Sequence, residues 1–416
     1  MIKNIFHILF FCLASFASFP WTTKADETSP RQALIEKGGL RAACTYANFI
    51  SLPQYKANLH CHTTHSDGNK KSEDMARWYE DHGYRILAMT DHDAYGDQDG
   101  GVSFPRLQND KTVHDWDGDG VLHEKRTPKS CIEAYVRDYD KPAPSWVSEN
   151  WKLNRPGEFV VLNGVEISIG RPHTNAIEPP TGKIPLQGSA FINWCHSNRG
   201  LLFLNHSGYL NPRPDRVFTD PKFYMSQLDG LEVMNGCLAR DNRKGNNPDG
   251  SLGFAEPLWN VCLDTGKLYL GFANDDTHGF DAQFAEGGTQ YFSGAGSAWN
   301  VIWCRELTKE SVMESLRAGA FYASCGVEID RVEITAESLT VHSPNATHIK
   351  VVGGGGRIRA QTDGAELTYR LAGDEKWIRV ELWNDTICHP NEDVKYPQKA
   401  WMQPIMLCDK PTGFNK

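Results

Sequence analysis

Between residue 54 and about residue 325 the chain repeats one pattern: short apolar runs, most of them ending on a histidine, aspartate or glutamate, separated by stretches of helical periodicity. The runs are "ANLHCH" (57 to 62), "YRILAMTDH" (84 to 92), "EFVVLNGVEI" (158 to 167), "GLLFLNH" (200 to 206), "LDGLEVMN" (228 to 235), "LYLGFAND" (268 to 275) and "AWNVIWC" (298 to 304). Several are apolar almost throughout, as expected of parallel strands buried on both faces. Ser72 stands as a cap before "EDMARWYEDH" with Gly83 as a stop, and Thr308 and Gly319 bracket "KESVMESLRA" in the same way. Strand and helix alternating over this length is the rhythm of an α/β barrel.

After Cys325 the texture changes. "VEIDRVEITAESLTVHS", "THIKVVGGGGRIRAQ", "AELTYRLAG" and "KWIRVELWN" alternate apolar and polar residues, with Gly, Asn and Asp at the breaks. That alternation belongs to half-buried antiparallel strands. At 416 residues the chain exceeds the size one core usually supports. The expected architecture is α/β: a barrel over residues 54 to 325 with an insertion at about 100 to 157, then a small all-β, sandwich-like domain over 326 to 416. Within the insertion, "DWDGDGVLHEKR" sets Asp115, Asp117 and Asp119 at calcium-loop positions 1, 3 and 5, with Gly120 at position 6. Arg126 stands where that loop needs glutamate, so calcium binding and a plain polar turn both remain open there.

The N-terminus has Lys3, an apolar run from Ile5 to Phe19 too short to span a bilayer comfortably, then small and polar residues. Residues 1 to 25 read as a secretion signal cleaved near Thr23-Lys24-Ala25, with a membrane anchor as the alternative. The first reading makes the protein secreted or periplasmic, with no stable membrane span. Losing Lys3 and Lys24 moves the formal net charge from -9 to -11. A chain this acidic, without a basic stripe, is a poor general binder of nucleic acid or anionic membrane. Ten cysteines lie outside the leader, an even number that an oxidising compartment can pair, with Cys388 and Cys408 as a local candidate pair. No C-x-x-C offers a thiolate zinc site.

Chemistry gathers at the strand ends, where barrel enzymes assemble their sites. His60 and His62 are two apart on one strand, so they share a face and can hold one ion, while Cys61 points the other way. His92 ends the next strand; Glu166 ends another, with His173 seven residues on. His206 closes "LLFLNH", and Asp276 with His278 forms a second i, i+2 pair. Imidazole and carboxylate without thiolate suit zinc, manganese or iron. A lone histidine at any of these places is more often a surface or satisfied interior residue, but the whole set is hard to dismiss that way.

"HCHTTHSDG", "MTDHD", "GVEIS" followed by His173, "LNHSG" and "NDDTH" occur in that order, and together they resemble the polymerase and histidinol phosphatase (PHP) family of metallohydrolases. The resemblance covers residues 54 to about 325 and implies a distorted (β/α)7 barrel with two to three divalent ions in a cleft at the strand ends. It implies that His60, His62, Glu166 and Asp276 hold a first ion and that Glu166 bridges to a second on His173 and His206. It assigns Asp67, His92 and His278 to a third; some members have a histidine near the position of Asp67. "LTKESVMESLRAGAFYASCG", "RPHTNAI" and "KAWMQPIML" further look like the secreted branch akin to carbaryl hydrolase, which widens the substrates beyond phosphate esters.

The expected function is an exported phosphoesterase that hydrolyses small-molecule phosphate mono- or diesters. The attacking group is a metal-bridging hydroxide, not Ser66 or Cys61. A carboxylic ester, carbamate or amide hydrolase using the same ions is the alternative. An inactive glycan- or surface-binding barrel is a third reading, weakened by the competent residue at every matched ligand position. The amidohydrolase superfamily also opens on His-x-His, but its members typically carry a bridging lysine where Glu166 stands. His65 either protonates a leaving alcohol or is a solvated loop residue. Asp91 can orient a ligand histidine. Arg171, and more faintly Arg213 and Arg216, can bind a phosphate oxygen.

Overall fold

The computed structural model describes residues 29–66, 68, 70–91, 152–167, 173–180, 188–206, 225–236, 255–280, 283–284, 290–291, 295–387 and 397–407. The expected leader, Asp67, His92, Asp115, Asp117, Asp119, Arg171, Arg213, Arg216, Cys388 and Cys408 lie outside the described residues.

Helices α1 (Pro30–Glu36) and α2 (Gly39–Ala43) precede β1 (Gln54–Asn58), α3 (Ser72–Asp81), β2 (Tyr84–Met89), β3 (Val160–Ile167) and β4 (Thr174–Ile177). Next come α4 (Gly188–Ser197), β5 (Leu201–Leu204), β6 (Gly230–Asn235), α5 (Glu256–Leu263), β7 (Leu270–Asn274), β8 (Gln283–Phe284) and β9 (Gln290–Tyr291). β10 (Trp299–Trp303), α6 (Lys309–Ala318) and β11 (Phe321–Ser324) follow. The remainder is β12 (Arg331–Ile334), β13 (Ser338–His342), β14 (His348–Gly353), β15 (Arg357–Asp363), β16 (Glu366–Arg370), β17 (Trp377–Ile387), β18 (Pro397–Met402) and β19 (Ile405–Met406).

One large mixed sheet organises this α/β chain, in the order β15-β14-β17-β18-β11-β10-β1-β2-β3-β4-β5-β6-β7. β1, β2 and β3 are parallel, as are β5, β6 and β7. The seven apolar runs are nonetheless not seven parallel strands. β4 runs antiparallel between β3 and β5, because the few residues joining β3 to β4 suffice for a hairpin but not for the crossover of a dozen or more that a parallel pair needs. The last run, β10, pairs antiparallel with β1.

Beyond its ladder with β10, the chain after β1 turns to the other end of the arc. Asp276 N donates to His60 O at 2.9 Å, His62 N donates to Thr277 O at 2.8 Å, and Cys61 and Thr277 form a parallel bridge. Asn300 does a strand's work beside β7: its amide accepts from Ala273 N at 3.1 Å and donates to Ala273 O at 2.7 Å. Inside the arc, Phe203, Phe272 and Phe321 stack with centroids 4.3 and 5.0 Å apart, filling the interior below the strand ends. Cys61 packs outward against Met75, Tyr79 and Leu87, on the face opposite the two histidines.

After residue 325, β12, β13 and β16 form a three-stranded sheet. Val332, Leu339, Val341 and Leu367 from that sheet pack on Ile349, Val351, Val380 and Leu382. Those partners belong to strands that continue the main sheet, since β18 pairs with β11. Fully burying one such side chain contributes roughly 1.5–3 kcal/mol.

α6 is capped as its sequence suggests: Thr308 Oγ1 accepts from Ser311 N at 3.3 Å, and Gly319 closes the helix at φ +70°. α3 differs, since Ser72 is its first helical residue and the cap is Lys71, whose side chain makes no cap bond. The six described cysteines, Cys44, Cys61, Cys195, Cys262, Cys304 and Cys325, form no disulfide with one another and are buried. They act as small apolar residues spread over four separate cores.

Candidate metal centre

His60 and His62 follow β1, Glu166 sits near the end of β3, His173 immediately precedes β4, and His206 and Asp276 each lie two residues past β5 and β7. Because β4 is reversed, all six arrive at the same end of the sheet.

The first group is tight and dry. His60 Nε2 lies 3.2 Å from His62 Nε2, 3.3 Å from Glu166 Oε2 and 3.2 Å from Asp276 Oδ1. His62 Nε2 lies 3.2 Å from Glu166 Oε2 and 3.0 Å from Asp276 Oδ1. All four residues are buried, and their ligand atoms lie within 4.8 Å of one another. Donors about 2.0–2.1 Å from a tetrahedral zinc ion are separated by about 3.3 Å, so these spacings fit one ion. The donor set, two imidazoles and two carboxylates, fits as well.

Glu166 also faces a second group. Its Oε1 is 3.0 Å from His173 Nδ1 and 3.2 Å from His206 Nε2, and it accepts from Asn205 Nδ2 at 2.8 Å. One carboxylate thus presents one oxygen to each group. His206 and Asp276 hold left-handed φ of +32° and +50°, two of the four such non-glycine residues described. That conformation costs on the order of 1–3 kcal/mol per residue and gathers at functional sites. Here it turns both side chains inward just past their strands.

Electrostatics favours a cation. Burial opposes charging His60, yet Asp276, Glu232 and Glu166 hold its pKa well above the usual imidazole range. Burial likewise opposes ionising Asp276, but His60, His62 and His278 hold it well below the carboxylate range. The neighbouring Asp275 points elsewhere, accepting from Gly296 N, Ala298 N and Tyr79 OH, and burial pushes it up to about 6 against those donors. Burial, with Asp91, Asp275 and Asp276 nearby, pushes the Cys61 thiol well up, which leaves it a poor nucleophile.

Around the ligands lie residues that orient them. Asp91 accepts from Thr63 N at 2.7 Å and Ser66 Oγ at 2.8 Å, and Ser66 Oγ lies 3.4 Å from His62 Nδ1. Asp91 therefore reaches His62 through Ser66. His278 stacks on His62 at 4.2 Å, and its Nδ1 meets Asp276 O at 3.0 Å. His65 is half-buried on the turn, its backbone N–H donating to Thr63 Oγ1 at 3.2 Å. Glu232 does not stand out in the sequence, yet it is buried with Oε1 2.8 Å from His60 Nδ1. Its one signal is a lone acid inside the apolar strand "GLEVMN".

No protein-family model matches the chain. It is similar to the DNA polymerase/3'-5' exonuclease PolX of Bacillus subtilis (strain 168), 28% identical over 145 residues that cover 32% of this chain and 25% of that protein. The chain thus spans about a quarter of that relative's length. Among solved structures it is similar to a two-domain protein of Bacteroides vulgatus ATCC 8482 described as containing a PHP-like metal-dependent phosphoesterase. That match has a TM-score of 0.41 and 16% identity, covering 83% of this chain and 95% of the other. It is also similar to a protein of Bifidobacterium adolescentis ATCC 15703 described as a metal-dependent phosphoesterase, at a TM-score of 0.31 and 15% identity, covering 64% and 98%. Both superpositions are loose, so the functional reading rests on this chain's own residues.

Proposed function

We propose that this protein is a metal-dependent phosphoesterase of the PHP type, acting on small-molecule phosphate mono- or diesters. The observation that carries the reading is Glu166, one buried carboxylate shared between His60, His62 and Asp276 on one side and His173 and His206 on the other. His60, His62, Glu166 and Asp276 hold the first ion, and Glu166, His173 and His206 the second. Asp67, His92 and His278 are assigned a third.

When bound, divalent zinc, manganese or iron lowers the pKa of water toward neutrality and offsets the charge on a phosphoryl group. The chain's own residues position. Asn205 donates to Glu166 Oε1 and restrains the shared carboxylate. Asp91 and Ser66 orient the His62 ring. The proposal assigns Arg171 to a phosphate oxygen, and His65 to the leaving alcohol or to the solvated loop. The apolar run Ile5 to Phe19 supports export, with a membrane anchor as the alternative.

The test is one preparation, metal-loaded and chelated, assayed on p-nitrophenyl phosphate, bis-p-nitrophenyl phosphate and p-nitrophenyl acetate. Hydrolysis of a phosphate ester, lost on chelation and restored by metal, is expected. Hydrolysis of the acetate alone points to a carboxylic ester hydrolase, and full activity without metal removes the reading.

A further inference from the structure

Glu232 on β6 is 1% exposed and lies in a strand whose every residue is buried. A carboxylate in such a place needs each acceptor direction filled. The structure fills four. Oε1 lies 2.8 Å from His60 Nδ1 and accepts from Asn274 Nδ2 at 2.9 Å. Oε2 accepts from the His206 backbone N–H at 2.6 Å and from Asn235 Nδ2 at 2.8 Å.

Two of those partners belong to different ligand groups. With Nδ1–H of His60 donated to Glu232, the ring turns Nε2 toward His62, Glu166 and Asp276, since a histidine's second nitrogen is set by the bond its first one makes. The bond to His206 N holds a residue at φ +32°, the backbone from which its Nε2 reaches Glu166 Oε1 at 3.2 Å. Asn235 adds a third link, donating both to Glu232 Oε2 and to Asp276 Oδ2 at 3.1 Å. With all four directions taken within the protein, Glu232 is placed to orient ligands and not to be one.

We propose that Glu232 is a positioning residue that couples the two metal subsites: it fixes His60 as an Nε2 ligand and His206 in its ligating backbone conformation, so both ions depend on it. This rests on the reading that the two groups hold metal.

The test compares wild type, Glu232→Gln and Glu232→Asp by titrating zinc into chelated protein against a competing chelator, with the thermal midpoint of each metal-free protein measured alongside. Wild type should take up the two equivalents of these groups, any third ion on Asp67, His92 and His278 being counted apart from them. The Gln variant sets its amide donor either against the His206 N–H and Asn235 or against Asn274 and His60 Nδ1–H, so uptake should weaken by roughly 10- to 100-fold at the subsite it faces. The Asp variant keeps the carboxylate but is one methylene too short to reach both partners, so it should weaken both. If Gln does not fold, Asp decides. Both equivalents at wild-type affinity in the folded variants, or one weakened alone in the Asp variant, overturn the proposal. No uptake by wild type would instead remove the metal reading itself.

Discussion

At the strand ends Glu166, Glu232 and Asp276 are buried together, and among the described residues their ion pairs run to histidines. In the C-terminal sheet Glu381 is buried beside Arg379, with Lys350 at 2.8 Å and Lys399 at 3.9 Å, while Lys399 also reaches Glu256 of α5 at 2.8 Å. The second cluster carries its own permanent cations and also ties α5 to the sheet, since Arg379 donates to Asn260 and lies 4.8 Å over the Trp259 ring. Histidine supplies no such permanent cation, because its charge depends on a proton. The difference teaches where an external ion is wanted: one cluster is closed by the chain, and the other converges on a point that a divalent cation fills.

The comparison breaks first on Glu166→Gln. Removing the shared ligand should abolish uptake of both ions and take turnover down by more than the roughly 10- to 100-fold typical of outer partners. The metal-free variant should melt at or below wild type, since Glu166 pairs with His60, His62, His173 and His206 in the interior. A variant with two bound ions and full turnover, by elemental analysis and assay, would show that the two groups are not the site. Glu381→Gln should do the reverse. Stranding Arg379 in the interior should cost about 3–5 kcal/mol in chemical denaturation while metal uptake stays at wild-type level.

Acid sharpens the same contrast. Burial works against ionising Glu381, but Arg379, Lys399 and Lys350 hold it at about 2, against 4.5 ordinarily. A depressed carboxylate contributes stability that is present above its unfolded value and lost as pH falls toward its folded value. Between about pH 5 and pH 2 the wild type should therefore lose on the order of 3 kcal/mol that the Glu381→Gln variant does not lose. Equal slopes in the two proteins would remove Glu381 as the cause. Chelation should act at the other cluster, lowering stability by about 2.7 kcal/mol for each ion relative to protein in metal at a hundred times its Kd, in wild type and Glu381→Gln alike.

The two clusters were not equally legible. His60, His62, Glu166, His206 and Asp276 stand at strand ends in the sequence, and period-two alternation alone puts the first two on one face. The C-terminal cluster has no such mark, because Arg379 and Glu381 alternate within β17 as any exposed strand's charges do, and only the strands folded over them make them interior. β4 is hidden for a related reason: four residues, "TNAI", carry too little apolar pattern to register, and their reversal is set by the short link from β3. Without β4, family resemblance brings His173 beside Glu166, but strand periodicity gives no reason for the two to meet. Glu232 and the paired amides of Asn235, Asn274 and Asn300 were equally hidden, since polar residues in an apolar run reveal their partners only across the sheet.

The smallest effect expected concerns the hydrogen bonds behind His62. Ser66 Oγ donates its one proton to Asp91 Oδ1 at 2.8 Å, so toward His62 Nδ1, 3.4 Å away, it has only a lone pair to offer. His62 must then carry its proton on Nδ1 and present Nε2 to Glu166 and Asp276. Ser66→Ala removes that acceptor and leaves every ligand in place, and a net hydrogen bond is worth about 1 kcal/mol, which corresponds to a several-fold loss of affinity. It should fall on the first ion alone, because Ser66 backs His62 of the first group, whereas Glu232 also holds His206 of the second. Thr63→Val is the control: it removes hydroxyl donation to the same Asp91 without touching His62, so it should lower stability and spare the metal. Equal metal affinities in Ser66→Ala and wild type would show that His62 is oriented by its ligand partners alone.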